Sequence, residues 1–132
     1  MKTVVAGALG ECVHVAGVTN FLRLAEIAGW RTVFLGPAVS VERFVQAIKE
    51  ENADLVGVSY RLTPETGERL LGEYAEAASE LHESGVRFVF GGTPPVAQRA
   101  QTLGGFFEKF FDGSQPVDEV LAFLRVYTRA GD

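Results

Sequence analysis

His14 is one of two histidines in the chain, and it lies in the stretch Gly10-Glu11-Cys12-Val13-His14-Val15-Ala16-Gly17. A neutral imidazole in such a loop is a candidate metal ligand or acid–base group. Cys12, two residues earlier, puts a thiol on the same side of an extended loop, which is the outline of a nucleophile–base pair. No third group is evident to orient the imidazole, so that chemistry is poorly supported. The flanking glycines suggest a phosphate loop, but both G-x-G-x-x-G and the P-loop Gly-Lys-Ser/Thr are missing. His82, late on a polar helix, reads as solvated surface. Asp54, before a buried strand, and Glu65, in a first helical turn, occupy ordinary structural positions. Phe106, Phe107, Phe110 and Phe111 are interleaved only by Lys109, which favours packing over a base-stacking platform.

The elements that must position these residues alternate from end to end. Thr3–Ala8 reads as a first strand. Gly17–Ala28 carries Val18, Phe21, Leu22, Leu24, Ala25 and Ala28 at helical spacing and stops at Gly29. Thr32–Leu35 is a second strand. Ser40 caps a helix with Val41, Phe44, Val45 and Ile48 on one face and Glu42 in its first turn. Asp54–Ser59 is nearly all apolar, as a strand buried on both faces would be. Thr63-Pro64-Glu65 opens a helix running to about Glu83, with Pro64 at the first helical position. Val86–Phe90, ending at Gly91-Gly92, is a fourth strand. Val96–Leu103 is a short helix, Phe106–Phe111 a fifth strand, and Pro116–Tyr127 a final amphipathic helix. Five strands alternating with helices predict an α/β fold with a parallel sheet covered on both faces. The flavodoxin-like strand order 2-1-3-4-5 is expected, in one domain over residues 1–132.

Bulk properties narrow the function classes. The chain of 132 residues is 47% hydrophobic, enough for one core, and carries a net charge of −5. That charge argues against nucleic acid or an acidic membrane surface as partner. No apolar run approaches the ~20 residues that span a bilayer. The start, Met1-Lys2-Thr3-Val4-Val5-Ala6-Gly7, is too short and Gly-broken to read as a signal peptide. One cysteine excludes an internal disulfide and a cysteine-rich zinc site. A cytoplasmic protein is expected.

In parallel sheets, ligands bind outside the carboxyl ends of the strands. The unusual residues fall at those ends: Glu11 to Gly17, Ser59 to Leu62, Gly91 to Pro95, and Asp112 to Ser114. In order, they resemble the cobalamin (vitamin B12)-binding domain family. Its members carry Asp-x-His-x-x-Gly after the first strand, Ser-x-Leu after the third and Gly-Gly after the fourth. His14-Val15-Ala16-Gly17, Ser59 and Gly91-Gly92 match, the spacing from Gly17 to Ser59 fits, and the likeness runs along essentially the whole chain. The layout is similar to the small subunit of coenzyme-B12-dependent mutases such as glutamate mutase.

The resemblance implies a cobalt-bound cofactor, adenosylcobalamin rather than methylcobalamin, with His14 as the metal ligand in place of the cofactor's own dimethylbenzimidazole. The displaced nucleotide tail would be buried between sheet and helices. Glu11, Cys12, Val13, His14, Val15, Ala16 and Gly17 would contribute to the cofactor site. So would Ser59, Tyr60, Arg61 and Leu62, then Gly91, Gly92 and Thr93, and finally Asp112, Gly113 and Ser114. Ser59 would meet the base, and Gly91-Gly92 would leave it room. No catalytic residue is implied. A larger barrel subunit would hold the substrate and complete an isomerase that this chain does not form alone; a homo-oligomer is also open.

Two departures stand out. The family's Asp, which accepts from the ligand histidine's other nitrogen, is Cys12 here, a poor acceptor. Loss of such a partner typically costs about 10–100-fold in metal affinity or activity. Glu11 is adjacent, but alternation points it elsewhere. Tyr60 and Arg61 stand where a small residue and Leu are common; they would narrow the tail slot, or Arg61 would bind the tail phosphate or a carboxylate. Two alternatives therefore accompany the mutase subunit: a corrinoid protein of methyl transfer, whose usual preceding helical bundle is not seen, and a degenerate B12-like module with an interaction or sensory role. A phospho-acceptor receiver domain is disfavoured, because strand three ends in Ser59 and not Asp.

Overall fold

The computed structural model describes residues 2–126. Strands β1 (Thr3–Leu9), β2 (Arg31–Val39), β3 (Leu55–Tyr60), β4 (Arg87–Gly92) and β5 (Phe107–Phe111) alternate with helices. The helices are α1 (Ala16–Ile27), α2 (Val41–Glu51), α3 (Pro64–Ala77), α4 (Ser79–Glu83), α5 (Pro94–Ala100) and α6 (Val117–Val126). All strand pairs are parallel, in the order β2-β1-β3-β4-β5. This is the expected flavodoxin-like α/β arrangement. Tyr127, the expected end of the last helix, lies outside the described residues.

Strand alternation sends the core to two sides. On one side Val5, Leu9, Val56, Val58, Tyr60, Phe88 and Phe90 pack with Phe44, Leu71, Tyr74, Val96 and Phe106 from α2, α3, α5 and the approach to β5. On the other, Val4, Ala6, Leu55 and Val89 pack under Val18, Leu22 and Ala25 of α1 and Leu124 of α6. Asp54 is structural, as its position suggested: its carboxylate and the backbone bond Asp54 N–H to the Thr3 carbonyl lock the starts of β1 and β3 together, at 2.9 Å each.

Three elements differ from the sequence reading. β2 continues beyond Leu35 because the kink at Gly36 (φ +93) and Ala38 (φ +52) lets pairing resume at Leu9↔Val39. The long helix bends at fully buried Ala78 into α3 and α4, while hydrogen bonds on both sides of the bend persist (Ala78 N to Tyr74 O 2.9 Å, His82 N to Ala78 O 3.0 Å). That bend lays the His82 ring on Phe106, centroids 5.0 Å apart and 25° from parallel, so His82 is a packing residue and not a freely solvated one. Finally, α5 begins at the Pro94-Pro95 pair, earlier than Val96, since proline suits a first helical turn.

Candidate functional site

The loop between β1 and α1 is held by the far end of β2. Gly10 turns it (φ +67), the Gly10 N–H donates to the Val39 carbonyl at 2.7 Å, and the Ala38 N–H donates to the Cys12 carbonyl at 2.8 Å. Cys12 is pulled wholly into the core beside Leu9 and Val39. His14, two residues on, stays exposed with its Nδ1 3.8 Å from the Cys12 sulfur. A thiol therefore stands where a hydrogen-bond partner for the imidazole is needed, and the side chains do share one side of the loop. Val13 is 62% exposed beside it and Leu62 38% exposed beyond β3, an apolar rim on the carboxyl edge.

Below that edge, a cleft of about 220 Å³ runs between the sheet and α1, reaching Val120 of α6. Its floor consists of small residues on neighbouring strands: Ala6 pairs with Gly57, and Ser59 with Gly91. Phe21 of α1 and Phe111 of β5 wall it, ring centroids 6.0 Å apart. A Cβ on Gly57 would come within 3.2 Å of both the Phe21 ring and the Ala6 Cβ, so only glycine keeps this floor flat. Whole small-molecule ligands fill roughly 300–1,000 Å³. At about 220 Å³ the cleft falls below that range and admits only part of such a ligand.

The structure sorts the expected site residues by strand phase. Gly17, Ser59, Arg61, Gly91, Gly92 and Gly113 border the cleft. Tyr60 does not: alternation turns it to the opposite face, fully buried, where a Cβ on Gly67 of α3 would lie 2.9 Å from its ring. It cannot narrow the cleft. Gly92 is glycine for a reason on that opposite side as well, since a Cβ there would fall 2.5 Å from the Tyr60 carbonyl. At Gly91 the nearest atom to a Cβ is the Phe111 carbonyl at 3.8 Å, so of the pair it is Gly91 that leaves space. Thr93 is the N-cap residue of α5, without a side-chain cap bond. Asp112 accepts from the Ser114 N–H at 3.0 Å and from the Ser114 hydroxyl, bonds that hold its carboxyl below the ordinary range. That closed turn sets Gly113 at φ +94 on the cleft wall. Glu11, Val13, Val15, Ala16 and Leu62 belong to the edge around His14, outside the cleft.

Several lining residues escaped the sequence reading: Ala6, Asn20, Phe21, Gly57, Gln115 and Val120. A glycine amid the valines of β3 was the available signal.

A match to the B12 binding domain covers residues 2–121. The chain belongs to the B12-binding domain family. Sigma subunit 1 of glutamate mutase from Haloarcula marismortui is 29% identical over 94% of this chain and 84% of that relative. Sigma subunit 2 from the same organism is 39% identical over a shorter stretch, 45% of this chain and 40% of that relative. A cobalamin-binding protein from Desulfitobacterium hafniense DCB-2 superposes with a TM-score of 0.75 at 25% identity, covering 96% of this chain and 59% of that one. The methanol:cobalamin methyltransferase complex from Methanosarcina barkeri shares the fold, with TM-score 0.74 and 21% identity over 96% of this chain and 47% of that one.

The geometry of this B12-binding domain fits the cofactor its family is named for. A bare ion needs three or four protein donors, and no cluster of three such side chains exists among the described residues. A corrin supplies the cobalt with its own four nitrogens, so one exposed imidazole suffices. The flat cleft floor beside it suits a displaced base. No helix among the described residues is long and apolar enough to cross a membrane.

Proposed function

We propose that this B12-binding domain carries adenosylcobalamin for a coenzyme-B12-dependent carbon-skeleton mutase, as the small subunit beside a larger catalytic barrel. The observation that carries the reading is the pairing of an exposed His14 with a cleft whose small-residue floor crosses three strands, β1, β3 and β4. The near full-length likeness to a glutamate mutase sigma subunit supports the mutase branch over methyl transfer.

When bound, the cofactor supplies a cobalt–carbon bond whose cleavage starts radical chemistry; the chain supplies binding and orientation. His14 would hold the metal through Nε2, with Nδ1 facing Cys12. Ser59 would present its hydroxyl to the base. Ala6, Gly57 and Gly91 would form the plane on which that base lies, and Phe21 its aromatic wall. The exposed rim of Val13 and Leu62 would lie under the corrin and the partner subunit, out of water in the assembly.

The test is reconstitution. Purified protein is mixed with adenosylcobalamin or hydroxocobalamin, desalted, and its visible spectrum recorded. Retained corrinoid is expected, in a form with the dimethylbenzimidazole off and histidine on. After reduction to Co(II), the EPR spectrum should show nitrogen hyperfine splitting that changes when the protein is labelled with ¹⁵N-histidine. His14→Ala should lose that splitting. A colourless wild-type protein after desalting would overturn the carrier reading and leave the degenerate module. Retention with no change on ¹⁵N labelling would remove His14 from the metal.

A further inference from the structure

Arg61 is the one charged residue lining the cleft among the described residues. Among the other described arginines of this acidic chain, Arg31 pairs with Glu51, Arg43 with Glu50, Arg69 with Glu73, Arg87 with Glu108, and Arg99 with Glu65 and Glu68, while Arg23 and Arg125 are in no such pair and lie away from the cleft lining. Arg61 has no carboxylate or hydrogen-bond partner among the described residues. Glu65, four residues on, pairs with Arg99, and Asp112 is bonded to Ser114 within its own turn. It follows Ser59 by two positions, so it shares the cleft side of the sheet edge while Tyr60 faces away. The result is a guanidinium without an ion-pair partner among the described residues, on a slot lined otherwise by uncharged side chains.

Such a site selects for an anion entering the slot, and a planar fork of N–H donors suits phosphate or carboxylate oxygens. The peripheral side chains of a corrin are neutral amides. The anionic centre of cobalamin is the phosphodiester of its nucleotide tail, next to the base that the cleft floor would receive. Resting on the carrier reading above, we propose that Arg61 binds this phosphate and makes the chain selective for corrinoids whose tail carries one. A leucine at this position, as the family pattern has it, would offer no such discrimination.

Cobinamide and cobinamide phosphate both lack the base and differ in the phosphate alone, so they isolate the contact. Each is titrated, followed by its visible spectrum, into wild-type protein, Arg61→Leu and Arg61→Lys. Thermal melts should coincide, because the side chain is exposed. Wild type should prefer cobinamide phosphate by about tenfold at low ionic strength, the scale of one charge-assisted hydrogen bond. The preference should shrink toward about 0.5 M salt. Arg61→Leu should abolish it and leave cobinamide affinity unchanged; Arg61→Lys should keep part of it. A preference that survives in Arg61→Leu overturns the proposal, as expected if Arg61 instead serves a substrate carboxylate. Equal loss for both ligands also overturns it. Wild-type protein that binds neither yet retains hydroxocobalamin also overturns it, whereas failure to retain hydroxocobalamin removes the carrier reading itself, a separate outcome.

Discussion

On the face covered by α2, α3, α4 and α5, β3 presents Val56, Val58 and Tyr60, and β4 presents Phe88 and Phe90. On the face covered by α1 and α6, the same strands present Gly57 and Ser59, then Val89 and Gly91. One side is filled by interlocked rings: Tyr74 meets Phe44 edge-on at 5.2 Å and Phe88 at 5.9 Å, and Phe88 stacks on Phe106 at 4.5 Å. The other keeps an open floor of glycine and serine toward the carboxyl edge. One sheet thus has a face filled throughout and a face left open toward its carboxyl edge, and period-two alternation assigns neighbouring residues to one or the other.

Breaking the filled face should produce the largest effect. Phe88→Ala removes a fully buried ring between Tyr74 and Phe106 and should cost about 3–5 kcal/mol. Urea unfolding measures it. A cost below about 1 kcal/mol would show that this face is loosely packed and the contrast false.

Filling the open face should do the reverse. Gly91→Leu places a side chain in the cleft, where the backbone leaves room for its Cβ. Corrinoid affinity should fall about 100-fold or more, equivalent to at least ~2.7 kcal/mol, while the melting temperature stays level or rises. Binding at wild-type strength would mean that the tail does not use this cleft.

These two positions also show what the sequence can and cannot disclose. The β/α alternation, the strand order and the carboxyl-edge location of the site follow from hydrophobic runs and chain connectivity. His14, Ser59 and Gly91 stand out by type at the ends of those runs. The errors came from treating neighbours as a block. Tyr60, between Ser59 and Arg61, answers to the opposite face, as alternation required, while Gly92 borders the cleft and is also closely approached from that face. Phe21, Gln115 and Val120 could not be found by position, because which helix closes over the sheet depends on packing between segments far apart in the chain. The return of β2 at Val39, which pins the His14 loop, depends on a positive φ at Ala38 that nothing in that residue's chemistry announces.

Cys12 joins the two regions, since its side chain is in the filled core and its sulfur faces the imidazole of the open edge. Cys12→Asp should set them against each other. A carboxylate accepts a hydrogen bond from Nδ1 far better than a thiol does, so the histidine-ligated form should be favoured about tenfold or more. The same carboxylate enters a site with no exposure, and before corrinoid is added the protein should lose roughly 1–3 kcal/mol. Paired titrations and melts separate the two effects. Unchanged affinity would remove Cys12 from any role in orienting His14.

The smallest effect concerns a flaw inside the filled face. The Tyr74 hydroxyl is fully buried and has no hydrogen-bond partner among the described residues. Burial disfavours the phenolate and raises its pKa well above the usual 10.0. Above pH 10 the unfolded chain therefore loses this proton before the folded one does. The stabilisation is complete below that pH and is lost as pH climbs toward the folded value. Tyr74→Phe keeps the ring contacts with Phe44 and Phe88 and removes the unpaired hydroxyl. It should gain about 1 kcal/mol at neutral pH and make the alkaline loss of stability shallower, both readable from urea titrations at pH 7 and pH 11. A destabilised Tyr74→Phe would mean that the hydroxyl is satisfied in solution and that the aromatic face has a polar contact at its centre, leaving the open cleft less distinct from it than the packing implies.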